Sequence, residues 1–133
     1  MTALLSLSDV SASYGPIEVL HEIDLEVPAG RVVAILGPNG AGKSTLLNVI
    51  AGLHRPQRGS VALAGRRIDG AAPDALARVG LCLIPEGRGI FPNLTVAEHL
   101  RMATHSGRRL AAIEAETYER FPRLAERHRK SRC

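Results

Sequence analysis

At 133 residues with 45% hydrophobic content, the chain is long enough for one domain with a sizeable core and is not of a disordered composition. No apolar run approaches the roughly 20 residues needed to span a bilayer, and the start of the chain lacks the basic residues and long apolar stretch of a secretory signal. The formal charge of +4 is concentrated at one end, where Arg120, Arg123, Arg127, Arg129, Lys130 and Arg132 stand against Glu126 alone. With no aromatic residue among the final dozen and no nucleic-acid motif, that tail reads as a solvated helix end, and no nucleic-acid partner is expected.

In chain order, Leu5 and Leu7 alternate with polar residues, and Val10, Ala12 and Tyr14 resume the alternation one step out of phase. This pattern predicts a strand with a bulge or bend after Ser8-Asp9. Ile23, Leu25 and Val27 predict a second, half-buried strand, and Pro28-Ala-Gly30 turns the chain. The run Arg31-Val-Val-Ala-Ile-Leu36 reads as a buried strand. After a glycine-rich stretch, Leu46, Leu47, Val49, Ile50 and Leu53 predict a helix. Gly59 opens a short strand over 60–65, and Pro73 begins a short helix over 73–79. Leu81-Cys-Leu-Ile84 reads as another buried strand, with Cys82 as a small buried hydrophobe. A loop from Pro85 to Asn93 follows. Thr95 and Glu98 match a capping box, with Val96, Leu100 and Ala103 as the apolar stripe behind it. Leu110 and Ile113 start a further helix that Pro122 kinks or ends.

The chemistry sits between the third strand and the first helix. Gly37-Pro38-Asn39-Gly40-Ala41-Gly42-Lys43-Ser44-Thr45 fits GxxxxGK[ST], the phosphate-binding loop. Gly37, Gly40 and Gly42 allow positive φ and a close approach of backbone to phosphate. Successive N–H groups and the positive end of the helix then face the anion. Lys43 supplies a charge for the β and γ phosphates, the Ser44 hydroxyl is placed for Mg²⁺, and Thr45 is expected near the α-phosphate. A glycine-rich turn that merely joins two elements is the bland alternative, outweighed by the strand–turn–helix context. The five histidines show no metal-ligand spacing, and Cys82 and the terminal Cys133 suggest neither a disulfide nor a metal site.

Three further stretches narrow the family: Ser13-Tyr-Gly-Pro16 ahead of the loop, Leu46-Leu-Asn-Val-Ile-Ala-Gly-Leu53 with Pro56 and Gly59-Ser60 after it, and Ile84-Pro-Glu-Gly-Arg-Gly-Ile-Phe-Pro-Asn-Leu-Thr-Val-Ala-Glu-His-Leu100. Over roughly residues 3–129 the chain resembles the ATP-binding subunits of ABC transporters. Its Pro85-Glu-Gly-Arg88 stretch looks most like the branched-chain amino acid importers. The resemblance implies an α/β P-loop NTPase. Residues from about 1 to 94 would form an antiparallel β subdomain plus P-loop core, and about 95–133 the start of a helical subdomain. It implies ATP and Mg²⁺ as ligands, with Tyr14 stacking on adenine and Glu86 at the Q-loop position, beside Mg²⁺ and the γ-phosphate. A strand-end packing role for Tyr14 and a plain exposed carboxylate at Glu86 are the competing readings. Phe91 either packs into its own domain or meets a coupling helix of a membrane permease subunit. Permease subunits and a second ATP-binding subunit are the implied partners, with the chain at the cytoplasmic face of the membrane.

Three features of the family are not found: LSGGQ, the second acidic motif and the later histidine. The run 81–84 followed by Pro85-Glu86 fits the Q-loop segment better than the acidic motif. Lys43 and Glu86 are then the catalytic candidates of a chain expected to bind ATP and hydrolyse little alone. The resemblance also implies an incomplete core sheet, with residues 31–36 short of strand partners. The competing classes are a non-catalytic nucleotide-binding fragment or truncated gene product without transport function, and a P-loop kinase or GTPase. A GTPase would carry NKxD, which is absent.

Overall fold

A computed structural model describes residues 3–87, 89 and 91–129. The chain forms two compact units, residues 1–83 and 84–133. The expectations at Arg88, Ile90, Lys130, Arg132 and Cys133 lie outside the described residues.

The first unit is built on the two predicted strands, which pair as a β-hairpin. Strands β1 (Ala3–Tyr14) and β2 (Ile17–Pro28) pair antiparallel, β3 (Arg58–Leu63) joins the other edge of β1, and the short β4 (Arg66–Arg67) follows. The order is β2-β1-β3-β4. β2 starts at Ile17, six positions before the first alternating residue, because Gly15, at φ 57°, reverses the chain at once and pairs Ile17 with Tyr14. The phase change in β1 is a bulge. Leu7 pairs with Leu25 and Val10 with Ile23, so β1 carries one residue more than β2 between these pairs. Asp9 takes φ 51°, and its N–H donates to Asp24 Oδ1 at 2.9 Å. The bulge puts Leu7, Val10 and Ala12 on one buried face despite their broken alternation.

Helix α1 (Lys43–Ile50) lays Leu46 and Val49 on that face, against Leu7, Val10, Ala12, Leu20 and Val61. Each large aliphatic side chain buried here contributes about 1.5–3 kcal/mol. The helix is shorter than the apolar pattern suggested. Gly52 (φ 73°) ends it before Leu53, which is exposed. Below β4, Asp69 accepts from Val61 N–H and from Arg67, and the Arg67 hydrogen bond holds its carboxyl below the ordinary range. Helix α2 (Pro73–Arg78) begins at its proline and buries Leu76.

Two predicted strands are corrected. Residues 31–36 and 81–84 form no strand, and among the described residues nothing pairs with them as one. Val32 is 100% exposed, Leu36 91% and Ile84 87%. Within 31–36 only Ile35 packs against the core cluster. The composition is that of a buried strand, but backbone N–H and C=O groups need partners before such a run becomes one. Cys82 falls in the second of these runs and is exposed, which overturns its reading as a buried hydrophobe.

The second unit is helical: α3 (Val96–Met102), a 3-10 turn (Ala103–Ser106), α4 (Leu110–Arg120) and α5 (Pro122–Glu126). The capping box is formed. Glu98 N–H donates to Thr95 Oγ1 at 3.2 Å, and Thr95 N–H donates to Glu98 Oε2 at 2.7 Å. The Thr95 backbone and hydroxyl bonds hold the Glu98 carboxyl below its usual range. Pro122 both stops α4 and starts α5, as a residue without an N–H can only at a first turn. Among the described residues of this unit, Val96 and Ile113 are the buried apolar ones.

Candidate functional site

The glycine-rich run folds as a loop that delivers its last residues into a helix. Gly40 and Gly42 adopt φ 84° and 88°, the left-handed region, whereas Gly37 does not. The positive-φ expectation therefore holds for two of the three glycines. A side chain at Gly37 would make ordinary contact with Ala41 Cβ, 3.4 Å away. Gly42 is the tightest point. A Cβ there would sit 2.9 Å from Leu20 Cδ2 and 3.2 Å from the Val19 carbonyl oxygen. The hairpin thus packs directly on the end of the loop and fixes where α1 begins. Gly42→Ala is expected to cost about 1–3 kcal/mol in urea unfolding, from strain at positive φ with a clash added.

Helix α1 opens at Lys43 with Gly42 as its cap, which offers no side-chain cap bond, and with no acidic residue in its first turn. Its first internal bond runs from Leu46 N–H to Gly42 O at 2.8 Å. The amides of Lys43, Ser44 and Thr45 therefore lie ahead of the helical ladder, at the positive end of the helix dipole. The Lys43 side chain curls back over the loop. Its Nζ donates to Gly37 O at 2.7 Å and to Pro38 O at 2.6 Å, two of the three bonds an ammonium can give. Ala41 N–H closes the loop onto Pro38 O at 3.2 Å. Pro38, Asn39, Gly40 and Ala41 are exposed, Ser44 is exposed at the first turn, and Thr45 is buried beneath it. A cation, backbone amides and the positive end of a helix dipole thus stand together at one exposed loop, a combination suited to an anion.

Tyr14 ends β1 in the same unit and is half exposed. Its ring stands 4.4 Å from the His54 ring, centroid to centroid, at an interplanar angle of 32°. In the sequence His54 shows no metal-ligand spacing. No local pattern links two residues 40 positions apart, and only the packing of the segment after α1 against β1 brings them together. Glu86 lies on an exposed loop of the second unit, whereas residues 37–45 belong to the first. Phe91, also in the second unit, is 55% exposed, and its N–H donates to His99 Nε2 at 3.0 Å. Among the described residues no helix is long and apolar enough to cross a membrane.

The sequence model of the ABC transporter family matches residues 20–132. The chain belongs to the ABC transporter family. Within that family it is 38% identical over 128 residues to the high-affinity branched-chain amino acid transport ATP-binding protein BraG of Pseudomonas aeruginosa, covering 94% of this chain and 54% of the relative. It is 40% identical to the Nod factor export ATP-binding protein I of Cupriavidus metallidurans, covering 95% of this chain and 40% of the relative. With the ribose import ATP-binding protein RbsA of a Ruegeria species it shares 35% identity, covering 92% of this chain and 25% of the relative. The chain therefore spans about half the length, or less, of these curated relatives. Among solved structures, an ATP-binding subunit of an ABC transporter superposes with a TM-score of 0.75 at 36% identity, covering 94% of this chain and 52% of that one. An ATP-binding cassette at 22% identity superposes with a TM-score of 0.82, covering 98% and 58%, a likeness of fold. The α/β architecture with an antiparallel sheet is that of ABC ATPase cassettes.

Proposed function

We propose that the chain is the nucleotide-gripping part of an ABC importer subunit that binds ATP with Mg²⁺. The observation that carries this is the loop: Lys43 poised over Gly37 and Pro38, with the glycine-capped start of a helix behind it. In this reading the residues 37–45 cradle the phosphates, Lys43 neutralises their charge, and Tyr14 offers a face to adenine. Mg²⁺ would meet the Ser44 hydroxyl and supply charge neutralisation for the β and γ phosphates; Glu86 is proposed as a Q-loop carboxylate on the family resemblance alone. The residues present suit such a load in their chemistry, an ammonium at Lys43 for the phosphates and an exposed hydroxyl at Ser44 for the metal.

The solute is proposed to be a branched-chain amino acid, on the Pro85–Arg88 stretch and the similarity to a relative named for that transport. Similarity to relatives named for ribose import and Nod factor export makes these the alternatives to exclude by uptake assays. Partners would be permease subunits, met through the exposed Phe91 region, and a second ATP-binding subunit. The chain would then work at the cytoplasmic face of the membrane. Neither LSGGQ nor a second acidic motif occurs in its sequence. Chemistry beyond phosphate neutralisation needs a water-orienting group and a closing partner. Calorimetry is expected to detect ATP binding, while phosphate release from the isolated chain stays at the level of a Lys43→Ala control. Clear Lys43-dependent turnover would refute this division of labour. A non-catalytic nucleotide-binding fragment predicts the same pair of results. It differs in giving no rescue of transport when supplied with permease and the rest of the domain.

A further inference from the structure

His54 is fastened twice, once through its backbone and once through its ring. Its backbone N–H donates to Asn48 O, inside α1, at 3.2 Å. Its ring Nε2 lies 3.1 Å from the carbonyl oxygen of Ser13. A carbonyl only accepts, so Nε2 carries the proton, and the ring plane is set by that bond. The same segment is sewn to β1 twice more. Ser13 Oγ donates to Gln57 Oε1 at 2.8 Å, and Gln57 N–H donates to Ser11 O at 2.8 Å. The residue thus fixed places its ring against Tyr14, at the distance of a tilted aromatic pair. Tyr14 ends a strand beside the tight Gly15-Pro16 turn and is otherwise half exposed. A half-exposed ring at a strand end samples several rotamers unless something blocks one side.

We propose that His54 is a positioning residue for nucleobase binding: it backs the Tyr14 ring and holds its other face ready to stack on the base. The inference rests on the reading of Tyr14 as the base platform. It adds a mechanical link, because α1 carries the phosphate-facing amides at its first turn and anchors His54 just past its last. Helix α1 therefore sets both ends of the nucleotide's span, the triphosphate end directly and the base end through one imidazole.

The test compares Mg²⁺–ATP with Mg²⁺–tripolyphosphate, which has the charge but no base, by calorimetry on the full chain. His54→Ala is expected to weaken ATP binding roughly five-fold, the size of one aromatic pair, and to leave tripolyphosphate binding unchanged. His54→Phe keeps a ring face and is expected to recover most of the loss. The chain has two tyrosines and no tryptophan. In a Tyr118→Phe background Tyr14 is the sole emitter, and its emission is expected to change on His54→Ala before any nucleotide is added. Unchanged tripolyphosphate binding also reports that each variant has folded. If Tyr14→Ala weakens ATP binding and His54→Ala does not, the proposal fails alone. An equal loss of both ligands in His54→Ala also overturns it, since that marks general damage to the loop. If Tyr14→Ala leaves ATP binding untouched, the platform reading itself falls.

Discussion

Replacing Lys43 with alanine is expected to weaken Mg²⁺–ATP binding about 100-fold, as loss of two charge-assisted contacts to phosphate implies. Stability should barely move. The ammonium's partners are the exposed carbonyls of Gly37 and Pro38, which water can satisfy once the side chain is gone. A binding defect without an unfolding defect is therefore the signature, read by calorimetry beside a urea titration. Lys43→Arg should recover only part of the affinity, since a planar fork cannot replace a compact point charge inside so small a loop. Unchanged ATP affinity in Lys43→Ala would remove the basis for treating this loop as a phosphate site.

The second large effect concerns the run 31–36. Amides of residues 32–36 are expected to exchange with deuterium within about ten-fold of unstructured rates, whereas those of Leu7 and Val10 in the central strand should be protected by about a thousand-fold or more. The reason is the contrast between a strand held on both edges and an apolar run whose side chains reach water, Val32 entirely and Leu36 nearly so. Such a segment is also a template for association between copies. Light scattering should show concentration-dependent growth, and the double substitution Val32→Lys, Leu36→Lys should suppress it several-fold while leaving ATP binding in place. Slow exchange at 32–36 in a monomeric sample would contradict this picture.

Much of the fold was legible because local chemistry and final structure agree. The out-of-phase apolar positions around Asp9 announced the bulge, the spacing of Thr95 and Glu98 announced the capping box, and GxxxxGK[ST] announced the loop before α1. What escaped has physical causes. The start of β2 escaped because Ile17 to Leu20 show no clean alternation, and their pairing is imposed by the turn at Gly15. The runs 31–36 and 81–84 carry strand-forming residues, yet strand status depends on partners that no local pattern encodes. Cys82 followed its run into solvent. At the site, the lysine and the glycines were visible as a motif. The Tyr14–His54 pair and the fit of Gly42 against Val19 and Leu20 were not, being products of how the hairpin and α1 fold over each other.

The bulge at Asp9 has one more consequence. The extra residue interrupts β1 against both neighbours, between Leu7 and Val10 on one side and between Ser8 and Ser11 on the other. Gly59 admits it, since any side chain there would run into the Ser8 and Asp9 carbonyls. Sliding β1 by a single step would have to carry that kink through two ladders at once and strand the Asp24 carboxylate without its amide. The central strand is thereby pinned against slippage, and its last residue, the tyrosine, always arrives at the same corner of the molecule.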